Sequence, residues 1–229
     1  AKYKLQVLLD LHGAPGSQNG KDHSGRTGKA DWYDSPEHRA ATLRALERLQ
    51  ARYGQHPRLW GLELMNEPMP GISLPRFWRL YWWTRDAILA LAKRGAGGYQ
   101  LVFSDAYVPW VWSGRINHSR AVMDVHHYQC FNASDKKKTI AQHEATAAGM
   151  AGKIAGWQKR QPVVIGEWSL ALDGTTLGVP HAEAEPRYAK AQLEAYSGAA
   201  GWFYWSYKTE GKGTWNFRSL VESGVLRLK

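Results

Sequence analysis

Six short apolar runs, separated by loops and helix-like stretches, constrain the fold of this 229-residue chain more than any other feature. Each run is apolar almost throughout, which is typical of parallel strands that are buried on both faces. Strands that alternate with helices connect through right-handed crossovers into a parallel sheet, so the pattern predicts an α/β fold. The runs are KLQVLLDLHG (4–13), LWGLELMNEP (59–68), YQLVFSDAY (99–107), AVMDVHHYQ (121–129), PVVIGEWSLA (162–171) and GWFYWSYK (201–208).

The segments between the runs carry the signals that begin and end helices. Ser35 is a candidate N-cap, Pro36 suits the first helical position, and Gly54 is a candidate C-cap. These three residues predict a helix whose buried stripe would consist of Leu43, Leu46, Leu49 and Tyr53. Further helices are predicted over residues 74–95, 135–160 and 184–198.

The arrangement of polar residues decides between two parallel folds. Polar residues gather at the C-terminal ends of the runs, which favours a TIM-type (β/α) barrel. The alternative is a doubly wound open sheet, which normally carries a glycine-rich phosphate loop after its first strand. The segment HGAPGSQNG is rich in glycine, but it lacks the GxGxxG spacing, and no helix starts directly after it. No linker or composition break interrupts the chain, so we expect a single domain over residues 1–229.

The polar residues at the ends of the runs suit carbohydrate chemistry. Two of them, Glu67 and Glu167, are glutamates near the ends of apolar runs. In glycoside hydrolysis one acid protonates the leaving oxygen, and the other attacks the anomeric carbon or activates a water. A carboxyl separation of about 5–5.5 Å implies retention and about 6.5–9.5 Å implies inversion, a choice that the spacing in sequence leaves open. The other residues at these ends are Asp10, His12, Asn66, Ser104, Asp105, His126, Tyr128 and Trp205.

Composition argues against two classes of partner. The net charge of +10 and the pI near 9.7 would suit a nucleic-acid-binding protein. The basic residues are dispersed, however, and their one cluster, DKKK (135–138), is expected to begin a solvated helix. No apolar run reaches the length of about 18 residues that a membrane span requires. We therefore expect neither a nucleic-acid nor a membrane partner.

Twelve tryptophans and eleven tyrosines instead offer aromatic faces on which sugars can stack.

Other catalytic chemistries lack their residues. His126 and His127 stand together, but no Asp, Glu or Cys cluster with ligand spacing completes a metal site. We expect no metal and no cofactor. The chain has no GxSxG motif, and Cys130 has no evident base, so serine or cysteine nucleophiles are disfavoured. Cys130 is the single cysteine, which rules out an internal disulfide, and it is interpreted as a packing residue.

A set of motifs resembles glycoside hydrolase family 5, above all its exo-β-1,3-glucanase branch. The motifs are LLDLHGAPGSQNGKDHSG, LMNEP, DVHHYQCF, IGEWSLA and GWFYWSYKTE with the later WNF. They follow the family's order and span nearly the whole chain. The resemblance implies a retaining β-glycosidase that hydrolyses β-glucans such as β-1,3-glucan, or transfers sugar from them, by double displacement.

The resemblance also implies roles for individual residues. Glu67 of Asn-Glu-Pro matches the family's acid/base, and Glu167 of Gly-Glu-Trp matches its nucleophile. Asn66 would hydrogen-bond the 2-hydroxyl of the sugar, Tyr128 would contact the nucleophile, and Trp205 would form the floor beneath the sugar. The other implied binding residues, which line the same subsite or its entrance, are His12, Asp22, His126 and Phe131.

The chain departs from the family pattern in three places. Lys21 stands where relatives often have an aromatic residue that pairs with the one at Phe131, and a lysine cannot stack in the same way. Tyr207 replaces a tryptophan. The run over 4–13 resembles the third of eight barrel strands, so an arginine near the nucleophile and an acid that grips the terminal sugar have no counterpart. The expected fold is therefore an incomplete TIM-type barrel of about six parallel strands with outer helices.

An incomplete barrel has consequences for assembly and for activity. It would leave open sheet edges at residues 4–11 and 201–207, and exposed edges promote aggregation. We expect a helix, a loop or a second chain, as in a homo-oligomer, to cover them. An open wall would also favour bulky acceptors, so transfer to sugar would compete with hydrolysis.

Two other functions stay open at this point. The chain could be a non-catalytic carbohydrate-binding remnant that keeps aromatic residues for stacking, or, as the least favoured reading, a basic nucleic-acid-binding protein. The patterns do not determine the linkage, the sugar, or exo against endo action. The N-terminal segment shows no signal-peptide cleavage site, whereas the resemblance implies an extracellular or periplasmic location.

Overall fold

The computed structural model describes residues 3–95, 97–172 and 176–228. The chain forms two compact units, of which unit 1 extends to Asp124 and unit 2 begins at Val125. The boundary falls inside the fourth strand. The strand order in the sheet follows the order in the chain, from β1 to β6.

Unit 1 consists of parallel strands joined by helices. Strand β1 pairs with β2, β2 with β3, and β3 with the first part of β4, all in parallel. Its elements are β1 (Val7–Asp10), a 3-10 turn (Asp22–Ser24), α1 (Pro36–Tyr53), β2 (Leu59–Glu63), α2 (Leu74–Arg94), β3 (Gln100–Ser104), α3 (Pro109–Trp112) and the start of β4 (Ala121–His126).

Unit 2 continues the same alternation, and its strands β5 and β6 pair in parallel. Its elements are the end of β4, a 3-10 turn (Asp135–Lys137), α4 (Ile140–Gln158), β5 (Val163–Trp168), α5 (His181–Tyr196), β6 (Gly201–Tyr204) and α6 (Phe217–Glu222). Each of the six predicted runs contains one strand, so the strand prediction is confirmed.

Helix α1 begins and ends at the predicted caps. The Ser35 hydroxyl accepts the backbone N–H of His38 at 3.1 Å, and the helix ends at Gly54. The predicted buried stripe was only partly right: Leu46 is fully buried, whereas Leu43, Leu49 and Tyr53 are half-buried.

Two polar residues, Thr42 and Gln50, are buried in that stripe as well. Thr42 accepts the Trp32 indole N–H at 3.0 Å, and Gln50 donates to the Leu91 carbonyl at 2.7 Å. Buried polar groups with partners of this kind carry no desolvation penalty that would exclude them from a core. The hydrophobic pattern could not have indicated them.

The cluster DKKK does not begin the long α-helix that the sequence predicted. It forms a 3-10 turn in which buried Asp135 accepts from the Lys138 ammonium at 2.8 Å. Helix α4 begins five residues later than predicted because Thr139 and Gln142 form a reciprocal capping box that fixes the first turn.

The outer strands are more exposed than the apolar runs predicted. Val7 in β1 is 44% exposed, and Phe203 in β6 is 39% exposed, whereas β3 and β4 are buried almost throughout. Apolar residues alone do not distinguish an edge strand from a central one. The expectation that another element or chain covers these edges stays a prediction. Among the helices of the described residues, none combines the length and the apolar character that a membrane span requires.

Candidate active site

The segment after β2 carries Asn66 and Glu67 beyond the strand end in unit 1. The Asn66 backbone N–H donates to the Leu11 carbonyl at 3.1 Å, so the segments after β1 and β2 stay in register. Asn66 is buried, and the Glu67 side chain is 13% exposed. Glu67 has φ +42°, a left-handed conformation that is uncommon for a residue with a side chain and that concentrates at functional sites.

Gln18 ties the two strand ends together. It is fully buried, and its amide nitrogen donates to the carbonyls of His12 (2.9 Å) and Asn66 (2.8 Å). Its amide oxygen accepts the Ala14 backbone N–H at 3.0 Å. Every polar atom of this side chain is therefore used to hold backbone, and a fully satisfied buried network fixes one arrangement.

His12 is oriented by its neighbour Asp10. The Asp10 carboxylate lies 2.7 Å from His12 Nδ1 and can only accept, so Nδ1 carries the proton. His12 Nε2 then faces the Asn66 amide nitrogen at 3.5 Å as an acceptor. The structure thus brings His12 and Asn66, two of the predicted binding residues, together.

Glu67 lies against His23, a residue that the sequence analysis did not select. Glu67 Oε2 is 3.2 Å from His23 Nε2. Asn19 Oδ1 accepts the Lys21 backbone N–H at 2.9 Å, so the Asn19 amide nitrogen points the other way. That nitrogen lies 2.8 Å from His23 Nε2 and 3.0 Å from the Glu67 carbonyl oxygen.

These contacts indicate where the protons lie. Because the Asn19 nitrogen only donates, His23 Nε2 acts as an acceptor, and the ring proton belongs on Nδ1. His23 Nδ1 is 3.7 Å from the Asp22 carboxylate, which favours the same tautomer. A lone pair on Nε2 makes a favourable contact with Glu67 only if the Glu67 carboxyl carries a proton. The contact with His23 therefore favours the protonated acid.

Asp22 lies at the outer side of this group. Its side chain is 94% exposed, and its carboxylate accepts the His23 backbone N–H at 2.9 Å. Asp22 therefore lies on the solvent-facing side of the group formed by Asn19, His23 and Glu67, and its described contacts are with His23. Lys21 is exposed beside it.

Glu167 in unit 2 has a different environment from Glu67. It lies near the C-terminal end of β5 with its side chain 12% exposed. The Tyr128 hydroxyl donates to Glu167 Oε2 at 2.8 Å, and His126 Nδ1 lies 3.4 Å from the same oxygen. Its carbonyl oxygen accepts the His127 backbone N–H at 3.0 Å. Donors directed at a carboxylate favour its ionised form.

Tyr128→Phe is expected to lower kcat/KM about tenfold to a hundredfold, since a hydrogen bond to a charged group contributes about 1.5–3 kcal/mol. The ionised Glu167 loses a donor, so the acid limb of the pH profile should move to higher pH. Steady-state rates on an aryl glucoside across the pH range measure both effects. An unchanged acid limb would contradict this role for Tyr128.

Aromatic side chains extend outward from Glu167 in unit 2. Tyr128 lies 5.1 Å from Phe131 and 5.8 Å from Trp215 between ring centroids, and Phe131 and Trp215 are 6.2 Å apart. Phe131 is 66% exposed. Trp205 follows β6, is 43% exposed, and donates its backbone N–H to the Trp168 carbonyl at 2.9 Å. These rings provide an exposed aromatic surface of the kind on which sugars stack.

Two other strand-end residues have local structural roles. The Ser104 hydroxyl accepts the Ala106 backbone N–H at 3.2 Å, and the Asp105 carboxylate accepts that of Tyr107 at 2.8 Å. Both side chains are buried and shape the turn after β3.

Sequence reasoning missed four residues at these two places: Gln18, Asn19, His23 and Trp215. The first three stand in the motif HGAPGSQNGKDHSG, and Trp215 stands in WNF. The motifs indicate which segments contribute to the site. They do not indicate which side chains of those segments point inward, because that depends on the loop conformation and not on hydrophobic periodicity.

His127 is held neutral in unit 2, which makes the protein's stability depend on pH. Burial, with help from Lys153 and Lys138, lowers the pKa of His127 to about 4 from 6.5. Below pH 6.5 the unfolded chain binds a proton that the folded chain does not, so stability falls as pH falls from 6.5 to 4. The loss amounts to about 3 kcal/mol.

Urea unfolding of wild type and His127→Asn at pH 6.5 and pH 4 tests this expectation. The variant should lose about 3 kcal/mol less between the two pH values. Burial also lowers the pKa of His143, so the variant keeps part of the slope. Equal slopes for both proteins would contradict the assignment.

Comparisons with known proteins identify the family of this chain. The family model described as Cellulase (glycosyl hydrolase family 5) matches residues 1–211. A probable glucan 1,3-beta-glucosidase A of Aspergillus niger is 34% identical, over 95% of this chain and 60% of its own length. A glucan 1,3-beta-glucosidase of Blumeria graminis is 31% identical, over 98% of this chain and 61% of its own. The chain thus spans about 60% of the length of these relatives.

Solved structures show the fold. The crystal structure of AoRut matches with a TM-score of 0.82 at 22% identity, over 99% of this chain and 67% of that one. The rutinosidase from Aspergillus niger matches with a TM-score of 0.80 at 19% identity, over 97% and 67%. The predicted fold class, an incomplete TIM-type (β/α) barrel with six parallel strands and outer helices, is confirmed.

Proposed function

Since this chain belongs to glycosyl hydrolase family 5, we propose that it cleaves β-glucans by a retaining double displacement. Glu67 acts as the acid/base and Glu167 as the nucleophile. β-1,3-Glucan is the proposed substrate, because the relatives from A. niger and B. graminis carry the name glucan 1,3-beta-glucosidase. An extracellular location goes with such a substrate.

One observation carries the proposal: the two strand-end carboxylates have opposite environments. Glu167 accepts the Tyr128 hydroxyl at 2.8 Å, which favours a carboxylate. Glu67 faces an acceptor nitrogen of His23 at 3.2 Å, which favours a carboxylic acid. Pairs of acids whose environments separate their protonation states take the two roles of glycoside hydrolysis.

The reaction then proceeds in two steps. The Glu167 carboxylate attacks the anomeric carbon while the Glu67 carboxyl gives its proton to the departing oxygen, which breaks the glycosidic bond. Glu67, now ionised, takes a proton from a water whose oxygen attacks the same carbon and releases Glu167. A second sugar hydroxyl in place of the water gives transfer.

The neighbouring side chains would bind the sugar. Asn66, buried and held by its backbone, would hydrogen-bond the 2-hydroxyl, a contact that strengthens toward the transition state. His12 and His126 would line the same subsite, and Trp205 would lie beneath the ring. Phe131 and Asp22, both exposed, would contact the acceptor at the entrance.

Product analysis of the wild-type chain on laminari-oligosaccharides tests the proposal. We expect shortened or elongated oligosaccharides whose new anomeric centre is β, as seen by proton NMR before mutarotation. Binding without any cleavage would overturn the enzyme proposal and favour a carbohydrate-binding remnant. Neither binding nor cleavage would overturn both.

A further inference from the structure

His127 occupies an unusual place in unit 2. Its chain neighbours His126 and Tyr128 both contact the Glu167 carboxylate. Its own ring is engaged elsewhere: His127 Nδ1 lies 2.6 Å from the hydroxyl of Tyr196, the last residue of α5. The two rings meet edge to face with centroids 5.9 Å apart. His127 thus joins the end of β4 to the helix layer.

From Tyr196 the hydrogen bonds lead back to the end of β5. The Tyr196 hydroxyl donates to Gln192 Oε1 at 3.0 Å, and Gln192 Nε2 donates to the Ser169 carbonyl at 3.1 Å. Gln192, Tyr196 and Ser169 are each at most 2% exposed. Ser169 follows Glu167 by two residues, and the His127 backbone N–H donates to the Glu167 carbonyl at 3.0 Å. The hydrogen bonds therefore close a ring around the segment that carries Glu167.

The direction of every proton in this ring follows from one carbonyl. The Ser169 carbonyl only accepts, so the Gln192 nitrogen must face it and the Gln192 oxygen must face Tyr196. Burial raises the pKa of Tyr196 far above the usual value, so its hydroxyl keeps its proton. The hydroxyl donates that single proton to the Gln192 oxygen. His127 must then donate to Tyr196 from Nδ1. A chain with a single allowed polarity holds its members in one geometry.

We propose that His127, Tyr196 and Gln192 are positioning residues that hold the nucleophile Glu167 and the two residues that contact it, His126 and Tyr128, in register. The inference rests on the proposed function, in which Glu167 is the nucleophile. The three residues do not touch the substrate; they fix the segments before and after those that do. A displacement of about 1 Å at a reacting group costs about a hundredfold in rate.

Two tyrosines of one helix provide a matched test. Tyr196→Phe deletes the hydroxyl at the centre of the ring. Tyr188→Phe deletes the hydroxyl of an equally buried tyrosine two turns earlier on α5, outside the ring. We expect Tyr196→Phe to lower kcat on a dinitrophenyl β-glucoside about tenfold to a hundredfold with little change in KM. Tyr188→Phe should stay within about threefold of wild type, since it leaves the Glu167 segment in place.

A second pair of variants keeps the test independent of folding losses. His127→Asn retains an N–H close to the position of Nδ1, whereas His127→Leu removes the donor. We expect His127→Leu to behave as Tyr196→Phe and His127→Asn to recover most of the rate. Thermal unfolding of each variant shows that the protein assayed is folded.

The outcomes separate this inference from the proposed function. An active wild type with Tyr196→Phe as active as Tyr188→Phe would overturn the inference alone. Equal losses in His127→Asn and His127→Leu would also overturn it, because the donor would then be irrelevant. A wild type that neither turns over the glucoside nor reacts with a fluoroglucoside would overturn the proposed function and this inference with it.

Discussion

Glu167→Gln should lower kcat on laminari-oligosaccharides by about 10⁴-fold or more, the scale on which the loss of a nucleophile acts in hydrolases. The amide keeps the shape of the side chain and its contact with Tyr128, but it cannot attack the anomeric carbon. Substrate should still bind, since the variant keeps the aromatic surface. Rates from product chromatography and affinity from calorimetry measure the two quantities.

Glu185 offers a control in the same unit. It lies on α5 with its side chain 21% exposed, and burial raises its pKa, so the neutral amide is a mild change there. Glu185→Gln should therefore retain wild-type turnover. A Glu167→Gln protein that still turns over as fast as the Glu185→Gln control would refute the nucleophile assignment.

Glu67→Ala should lower kcat/KM on laminari-oligosaccharides by about 10²–10⁴-fold, the usual contribution of general acid–base catalysis. The loss should depend on the leaving group. A dinitrophenolate leaves without a proton, so a dinitrophenyl glucoside should still react with Glu167 and then accumulate the glycosyl-enzyme. Added azide needs no base to attack, and it should restore turnover and yield β-glucosyl azide.

The comparison of leaving groups distinguishes a missing acid from a damaged fold. A damaged site would lose activity on both substrates to the same extent, and azide would not help. His23→Leu offers a milder version, because it removes the acceptor that faces the Glu67 carboxyl at 3.2 Å. With that contact gone, the basic limb of the pH profile should move to lower pH.

The alternation of strands and helices could be predicted because local signals and packing agree there. The six runs each contain a strand, and Ser35 and Gly54 mark the ends of α1. The positions of Glu67 and Glu167 near the ends of β2 and β5 could also be predicted, since a carboxylate at the end of an apolar run is conspicuous. These features depend on residues close together in the sequence.

Features that depend on long-range partners could not be predicted. Thr42 and Gln50 are buried because Trp32 and Leu91 supply hydrogen bonds from elsewhere in the chain. Gln18 stands in the glycine-rich segment HGAPGSQNG, yet it is fully buried between two strand ends. A prediction from hydrophobicity alone would place each of these polar side chains at the surface.

Which strands are more buried and which are more exposed also could not be predicted from the sequence. Val7 and Phe203 are apolar and lie in strands, and both are exposed by more than a third. An edge strand and a central strand can have the same apolar pattern. The pattern shows which side chains a strand could bury, but it does not show whether another strand or helix packs against them. The prediction that another element or a second chain covers these edges can be tested by measuring the oligomeric state in solution.

The central claim is that Glu167 becomes bonded to the sugar during the reaction. Incubation with 2-deoxy-2-fluoro-β-glucosyl fluoride, followed by peptide mass analysis, tests it most directly, because the fluorine slows release of the intermediate. We predict a single fluoroglucosyl group on the peptide that contains Glu167, and its release when an acceptor sugar is added. A label on Glu67, or a chain that cleaves laminari-oligosaccharides with inversion and is never labelled, would contradict the account.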